Sequence, residues 1–61
     1  MKINDMSGWD MAERMGDQAE KLDGLRLIWA LQERGYGDCE PSEVPEETWY
    51  HEMDMAMTGA V

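Results

Sequence analysis

Residues 19–35, AEKLDGLRLIWALQERG, decide the fold of this 61-residue chain. Their apolar residues recur at helical spacing and cover most of one turn: Leu22, Leu25, Leu27, Ile28, Trp29 and Leu31. Gly35 follows Glu33 and Arg34, where a glycine in the left-handed conformation commonly ends a helix. We therefore predict a central core helix that ends at Gly35.

Gly24 lies inside this predicted helix. A glycine there weakens a helix by about 1 kcal/mol relative to alanine. Its presence is explained either by a close approach of another helix or by a kink. Both explanations remain open from the sequence.

The segment before the core helix contains two helix-start signals. Ser7 and Asp10 form the pattern of a capping box, in which each side chain satisfies a backbone N–H of the other residue. Gly16 interrupts the run that follows, and Asp17 with Glu20 supplies a second start at about residue 17. Residues 7–34 therefore form either one kinked helix or two.

After the core helix, residues 36–41 have the glycines and proline of a loop. Ser42 is predicted to cap a third helix, with Pro45 tolerated in its first turn and Gly59 fraying its end. The apolar face of that helix consists of Trp49, Met53, Ala56, Met57 and Ala60. The fold class is all-α, a small three-helix bundle with a four-helix bundle as the alternative, in one domain spanning residues 1–61.

The size and composition limit the possible functions. A chain of 61 residues buries little surface and has no room for a deep substrate cleft, but 43% apolar residues favour a folded domain. Cys39 has no cysteine to pair with, and the charges of Asp38 and Glu40 on either side disfavour its thiolate. We predict a cytoplasmic protein, because no apolar run is long enough for a secretory signal or a membrane span.

The formal charge of −9 is unevenly distributed. Residues 1–34 contain seven acidic and five basic residues, whereas residues 35–61 contain seven acidic residues and no Lys or Arg. In the first part three pairs stand at favourable helical spacing: Asp10 with Arg14, Asp17 with Lys21, and Asp23 with Arg26. In the second part we expect carboxylates without a basic partner in the chain.

These acidic residues define the candidate partner-binding site. Glu40, Glu43, Glu47 and Asp54 are expected to share a surface. Tyr50 and Met55 are expected to remain exposed as apolar anchors. The predicted site consists of Asp38, Glu40, Glu43, Glu46, Glu47, Trp49, Tyr50, Glu52 and Asp54. Such a surface either only keeps the protein soluble or binds a basic groove that normally holds nucleic-acid phosphates. Direct binding to nucleic acid and insertion into a membrane are disfavoured.

The sequence lacks the patterns of enzymes and metalloproteins. His51 and Glu52 begin a zinc-protease-like motif, but Met55 stands where the second histidine is required. Glu47 and His51 are predicted to form a surface ion pair instead of a metal site. We predict no catalytic residue, no metal and no cofactor, since acid–base catalysis needs a shaped pocket.

In size, acidity and lack of catalytic motifs, the chain resembles the small inhibitor proteins of bacteriophages and mobile elements, including anti-CRISPR proteins. The resemblance is one of type, without a shared residue pattern. It implies a stoichiometric inhibitor in a bacterial host whose acidic residues occupy a basic site on a nucleic-acid-binding complex, such as a CRISPR effector. The alternative is a helical adaptor or homodimerising subunit that completes its core through Trp9, Trp49 or the methionines, with acidity serving solubility.

Overall fold

The computed structural model describes residues 1–58, which form three α-helices and two short 3₁₀ turns. The helices are α1 (Gly8–Met15), α2 (Lys21–Glu33) and α3 (Glu46–Thr58), and the 3₁₀ turns are Ile3–Asp5 and Pro41–Glu43. No strand occurs within these residues. The all-α three-helix fold is thus confirmed, whereas the predicted roles of Gly59 and Ala60 lie outside the described residues.

Helix α1 begins and ends at its predicted signals. The Ser7 hydroxyl accepts a hydrogen bond from the Asp10 N–H, and the Asp10 carboxylate accepts one from the Ser7 N–H, both at 3.1 Å. Gly16 follows the helix with φ at 126°, in the left-handed region that favours glycine. The first part of the chain therefore contains two helices and not one kinked helix.

Helix α2 begins later than predicted. Glu20 is its N-cap, and the Asp23 carboxylate accepts a hydrogen bond from the Glu20 N–H at 3.0 Å. The prediction of a start at Asp17 was wrong, because residues 17–20 connect the two helices. Glu20 and Asp23 are three positions apart, like the predicted pair Asp17 and Glu20, and they form the cap of α2 instead.

The end of α2 confirms the prediction for Gly35, which has φ at 91°. Its N–H donates to the Gln32 carbonyl at 3.0 Å, and the Tyr36 N–H donates to the Leu31 carbonyl at 2.9 Å. These two bonds form a Schellman motif, which satisfies carbonyls that the helix leaves free.

Helices α1 and α2 approach each other closely at two glycines. A Cβ at Gly24 would collide with the Gly8 carbonyl oxygen, and a Cβ at Gly8 would lie 2.6 Å from the Lys21 carbonyl oxygen. Helix α2 continues unbroken through Gly24. Of the two explanations for Gly24, close helix approach is therefore the correct one.

The core lies between one side of α2 and the other elements. The fully buried large side chains are Ile3, Met11, Leu27 and Leu31. Other side chains pack around them: Met6, Met15, Ile28, Tyr36, Val44, Trp49, Met53 and Ala56. The core thus joins all three helices to the first 3₁₀ turn and to the connection between α2 and α3.

Two residues predicted in the core are exposed: Leu22 at 52% and Trp29 at 56%. Their placement in the core was wrong. Both α1 and α3 pack on the side of α2 that carries Gly24, Leu27 and Leu31. At 100° per residue, the positions of Leu22 and Trp29 lie on the opposite side of the helix.

The connection between α2 and α3 also differs from the prediction. Ser42 lies inside the 3₁₀ turn, and α3 begins at Glu46, so the prediction that Ser42 caps α3 was wrong. The Pro45 carbonyl accepts the first helical hydrogen bond, from the Trp49 N–H at 2.8 Å. The N-terminal 3₁₀ turn holds the connection in place, because the Ile3 N–H donates to the Cys39 carbonyl at 2.9 Å.

Within residues 1–58, no helix has the length and apolar character needed to cross a bilayer.

Candidate acidic binding surface

Most of the predicted acidic residues are exposed, on the loop, the second 3₁₀ turn and α3. The exposed carboxylates are Asp38, Glu40, Glu43, Glu46, Glu47 and Asp54. Two are oriented by hydrogen bonds: the Asn4 amide donates to Asp38 at 3.2 Å, and the Glu40 N–H donates to Glu43 at 3.4 Å. Glu46 and Glu47 lie in the first turn of α3, where the helix dipole favours negative charge.

Two acidic residues are paired with positive charges from the first part of the chain. The Glu52 side chain is only 13% exposed and accepts a 2.7 Å hydrogen bond from the Arg34 Nε. The Glu40 carboxylate lies 3.3 Å from the amino terminus of Met1. The expectation that all carboxylates after residue 34 lack a basic partner was therefore wrong, because tertiary contacts supply the partners.

The predicted aromatic residues of the site have different environments. Trp49 is half-buried and packs against the core, whereas Tyr50 is 55% exposed. Tyr50 and Met55 are both exposed, as predicted. Their positions on α3 are about 140° apart, so they belong to different faces.

A different methionine accompanies Tyr50. Met57 was predicted on the packing face but is exposed, and it lies seven residues after Tyr50, which is two helical turns. The outer face of α3 spans a sector of about 100° and contains Glu46, Glu47, Tyr50, Asp54 and Met57. We call this face, together with Asp38 and Glu43, the acidic surface.

One of the three ion pairs predicted in residues 1–34 is present in the structure. Asp23 and Arg26 make an ion pair at 3.5 Å. Asp10 caps α1, and Asp17 lies outside a helix, so the pairs with Arg14 and Lys21 do not form. No carboxylate of residues 1–58 lies within 4 Å of the Arg14 or Lys21 nitrogens.

The described part of the chain holds no group of three or more His, Cys, Asp or Glu residues that could bind a metal ion. His51 is exposed and does not form the predicted ion pair with Glu47. Partial burial raises the pKa of the Cys39 thiol, and a hydrogen bond to Glu43 and the charges of Glu43 and Asp38 raise it further. The acidic neighbours thus disfavour a thiolate, as predicted, although Glu43 acts in place of Glu40.

One surface depression has a volume of about 420 Å³ and is open to solvent. It is lined by Met1, Met6, Asp10, Glu13 and Arg14, so none of the acidic surface contributes to it. The acidic surface itself presents carboxylate acceptors around one phenol ring and one thioether. This arrangement can accept hydrogen bonds from ammonium and guanidinium groups.

In the comparisons with known proteins, no family model, no curated protein and no solved structure matches this chain.

Proposed function

We propose that this chain is a stoichiometric protein inhibitor whose acidic surface binds a basic site on a protein partner. The site would normally hold nucleic-acid phosphates, for example on a host complex such as a CRISPR effector. One observation carries the proposal: five carboxylates of the acidic surface are exposed, and residues 35–58 contain no Lys or Arg. Charge of this density is compensated by salt, solvent or a basic partner.

The arrangement of the surface supports a protein partner. Carboxylates accept paired hydrogen bonds from the guanidinium group of arginine, which also binds phosphates in this way. Tyr50 lies among the carboxylates on α3, and aromatic residues are enriched among the residues that contribute most to binding. A basic partner site would thus meet both charge and an apolar anchor.

Nucleic acid is disfavoured as a direct ligand, because its phosphates would be repelled by a chain with a formal charge of −9. The alternative function, a helical adaptor, depends on apolar docking and uses acidity only for solubility. The two functions differ in their response to salt, because screening weakens charge pairing but not apolar burial.

The test compares two charge-matched variants with the wild-type chain in affinity capture from a bacterial lysate at low and high salt. Glu43, Glu46 and Glu47 are changed to Gln in the first variant, which keeps an oxygen acceptor at residue 43 for the Glu40 N–H. The control has the same loss of three negative charges at exposed positions of the first part: Asp5→Asn, Glu13→Gln and Asp17→Asn.

We expect a partner that the wild-type chain and the control retain at low salt, that high salt releases, and that the first variant fails to retain. Nucleic acid added to the purified complex should displace the chain, because both occupy the same site. A partner that binds the first variant as tightly as the wild-type chain, at low and at high salt, would overturn the proposal in favour of the adaptor.

A further inference from the structure

Helix α2 has an apolar outer face that residues 1–58 leave exposed. Leu22 and Trp29 are each about half exposed, and Leu25 is partly exposed beside them. Leu22 and Trp29 lie seven residues apart and thus on the same side of the helix, opposite Leu27 and Leu31 in the core. Large exposed apolar residues on one helix face are typical of interaction sites.

The charges around this α2 outer face are balanced. Lys21 and Arg26 carry positive charge, and Asp23 and Glu33 carry negative charge. The acidic surface is different in this respect, since it contains carboxylates without Lys or Arg. A neutral face with both signs of charge is able to contact a copy of itself without net repulsion.

The position of the α2 outer face also favours contact with a second copy of the chain. Helix α3 packs against α2 through the core and through the Arg34–Glu52 ion pair, on the side away from Leu22 and Trp29. Two copies that meet through their α2 outer faces therefore keep their acidic surfaces apart. Contact through α3 would instead bring together Glu46, Glu47 and Asp54 of both copies.

We infer that a second copy of this chain docks on the α2 outer face to form a two-fold symmetric homodimer. In a symmetric contact each face meets the same face of the other copy. Antiparallel packing of the two α2 helices places Leu22 of one copy opposite Trp29 of the other, so that both residues are covered in each copy.

The dimer is expected to be weak. Standard protein interfaces bury about 800 Å² on each partner, and the whole chain exposes 4103 Å². The face of one helix about 20 Å long covers less than this area, which indicates a dissociation constant on the order of 10 µM or higher. Two copies with a charge of −9 each repel one another at long range, so salt strengthens this dimer.

Sedimentation equilibrium of the full chain, from about 10 µM to about 1 mM and at low and high salt, tests the inference. We expect the average mass to rise with concentration from 7.0 kDa toward twice that value, and to rise more at high salt. Leu22→Glu and Trp29→Glu should each weaken the dimer at least tenfold. Leu22→Glu places a carboxylate in the first turn of α2, which favours the helix, and circular dichroism checks that both variants fold.

Met55→Glu is the matched control, because it makes the same change at an exposed position of α3. It should leave the dissociation constant unchanged. A chain that remains monomeric to about 1 mM at high salt would overturn the inference. So would a dimer that Leu22→Glu and Trp29→Glu leave intact, or one that Met55→Glu weakens equally. The result is independent of the proposed inhibitor function, because the sedimentation sample contains no partner protein. High salt should also strengthen the homodimer, whereas it should weaken the binding of the acidic surface to a basic partner.

Discussion

The contact between α1 and α2 includes a close approach of the two helix backbones, whereas the contact between α2 and α3 is made by side chains. At the first contact Gly8 and Gly24 bring the two helix backbones together. At the second, Trp49 and Met53 pack on the core, and Arg34 pairs with Glu52. A single substitution should therefore cost different amounts of stability at the two contacts.

A methyl group added at Gly24 would meet backbone atoms of Gly8 and Ala12, which cannot change rotamer as side chains can, so it forces the helices apart. Side-chain contact can adjust, because methionine is unbranched and adopts many shapes. We expect a single added methyl group at the α1–α2 contact to lower the free energy of unfolding more than the loss of one side-chain interaction at the α2–α3 contact. Substitutions at the two contacts test this difference.

Gly24→Ala should cause the largest loss. Its Cβ would collide with the Gly8 carbonyl, and neither backbone can move without disturbing a helix. We expect a loss of about 3 kcal/mol, a large fraction of the stability of a domain of this size. Urea denaturation followed by circular dichroism measures the change in the free energy of unfolding.

Gly35→Ala is the control for this substitution. Its added Cβ would have open space around it beyond the adjacent residues, but φ at 91° makes alanine strained there. The expected cost is about 1 to 2 kcal/mol, from the backbone conformation alone. Equal losses in the two variants would mean that the close approach of α1 and α2 contributes nothing beyond ordinary glycine replacement.

Arg34→Gln should cause a smaller loss, at the α2–α3 contact. It leaves the mostly buried Glu52 carboxylate without its charged partner. Because Arg34 is about half exposed, solvent screens the pair, and we expect a loss of about 1 kcal/mol. The free energy of unfolding in urea gives the measurement.

Arg14→Gln removes the same charge at an exposed position without a carboxylate of residues 1–58 within 4 Å. It controls for the change in net charge and should cost only a few tenths of a kcal/mol. A double variant combines Arg34→Gln with Glu52→Gln. Its loss of stability should be smaller than the sum of the losses in the two single variants, since each single substitution already removes the same ion pair. Additive losses would show that Arg34 and Glu52 act independently.

The smallest effect is expected at Cys39, in the connection between α2 and α3. Folding raises the pKa of this thiol, so the unfolded chain loses the proton at a lower pH than the folded chain does. The resulting stabilisation is complete below the pKa of the unfolded thiol, about 8.5, and is lost as the pH rises through the folded value.

Comparison of the wild-type chain with Cys39→Ser isolates this effect from other groups that titrate at high pH. The difference in the free energy of unfolding between the two chains should change between pH 7 and pH 10, with the wild-type chain losing more stability. A constant difference across this range would mean that folding does not perturb the thiol.

The sequence by itself determined the features that depend on residues three to five positions apart. The cap formed by Ser7 and Asp10 and the end of α2 at Gly35 are local hydrogen-bonded motifs, so their residue types were sufficient. The exposed positions of Glu46 and Glu47 at the start of α3 were also predictable. The uneven charge follows directly from the composition.

Only the tertiary structure decided which apolar residues of α2 are buried and which carboxylates are paired. Helix α2 is apolar over most of its circumference, so its periodicity does not distinguish Leu27 from Leu22 or Trp29. Glu52 is paired with Arg34, which is 18 positions away in the chain. Burial and ion pairing across such distances depend on where α1 and α3 pack, and no local spacing specifies that.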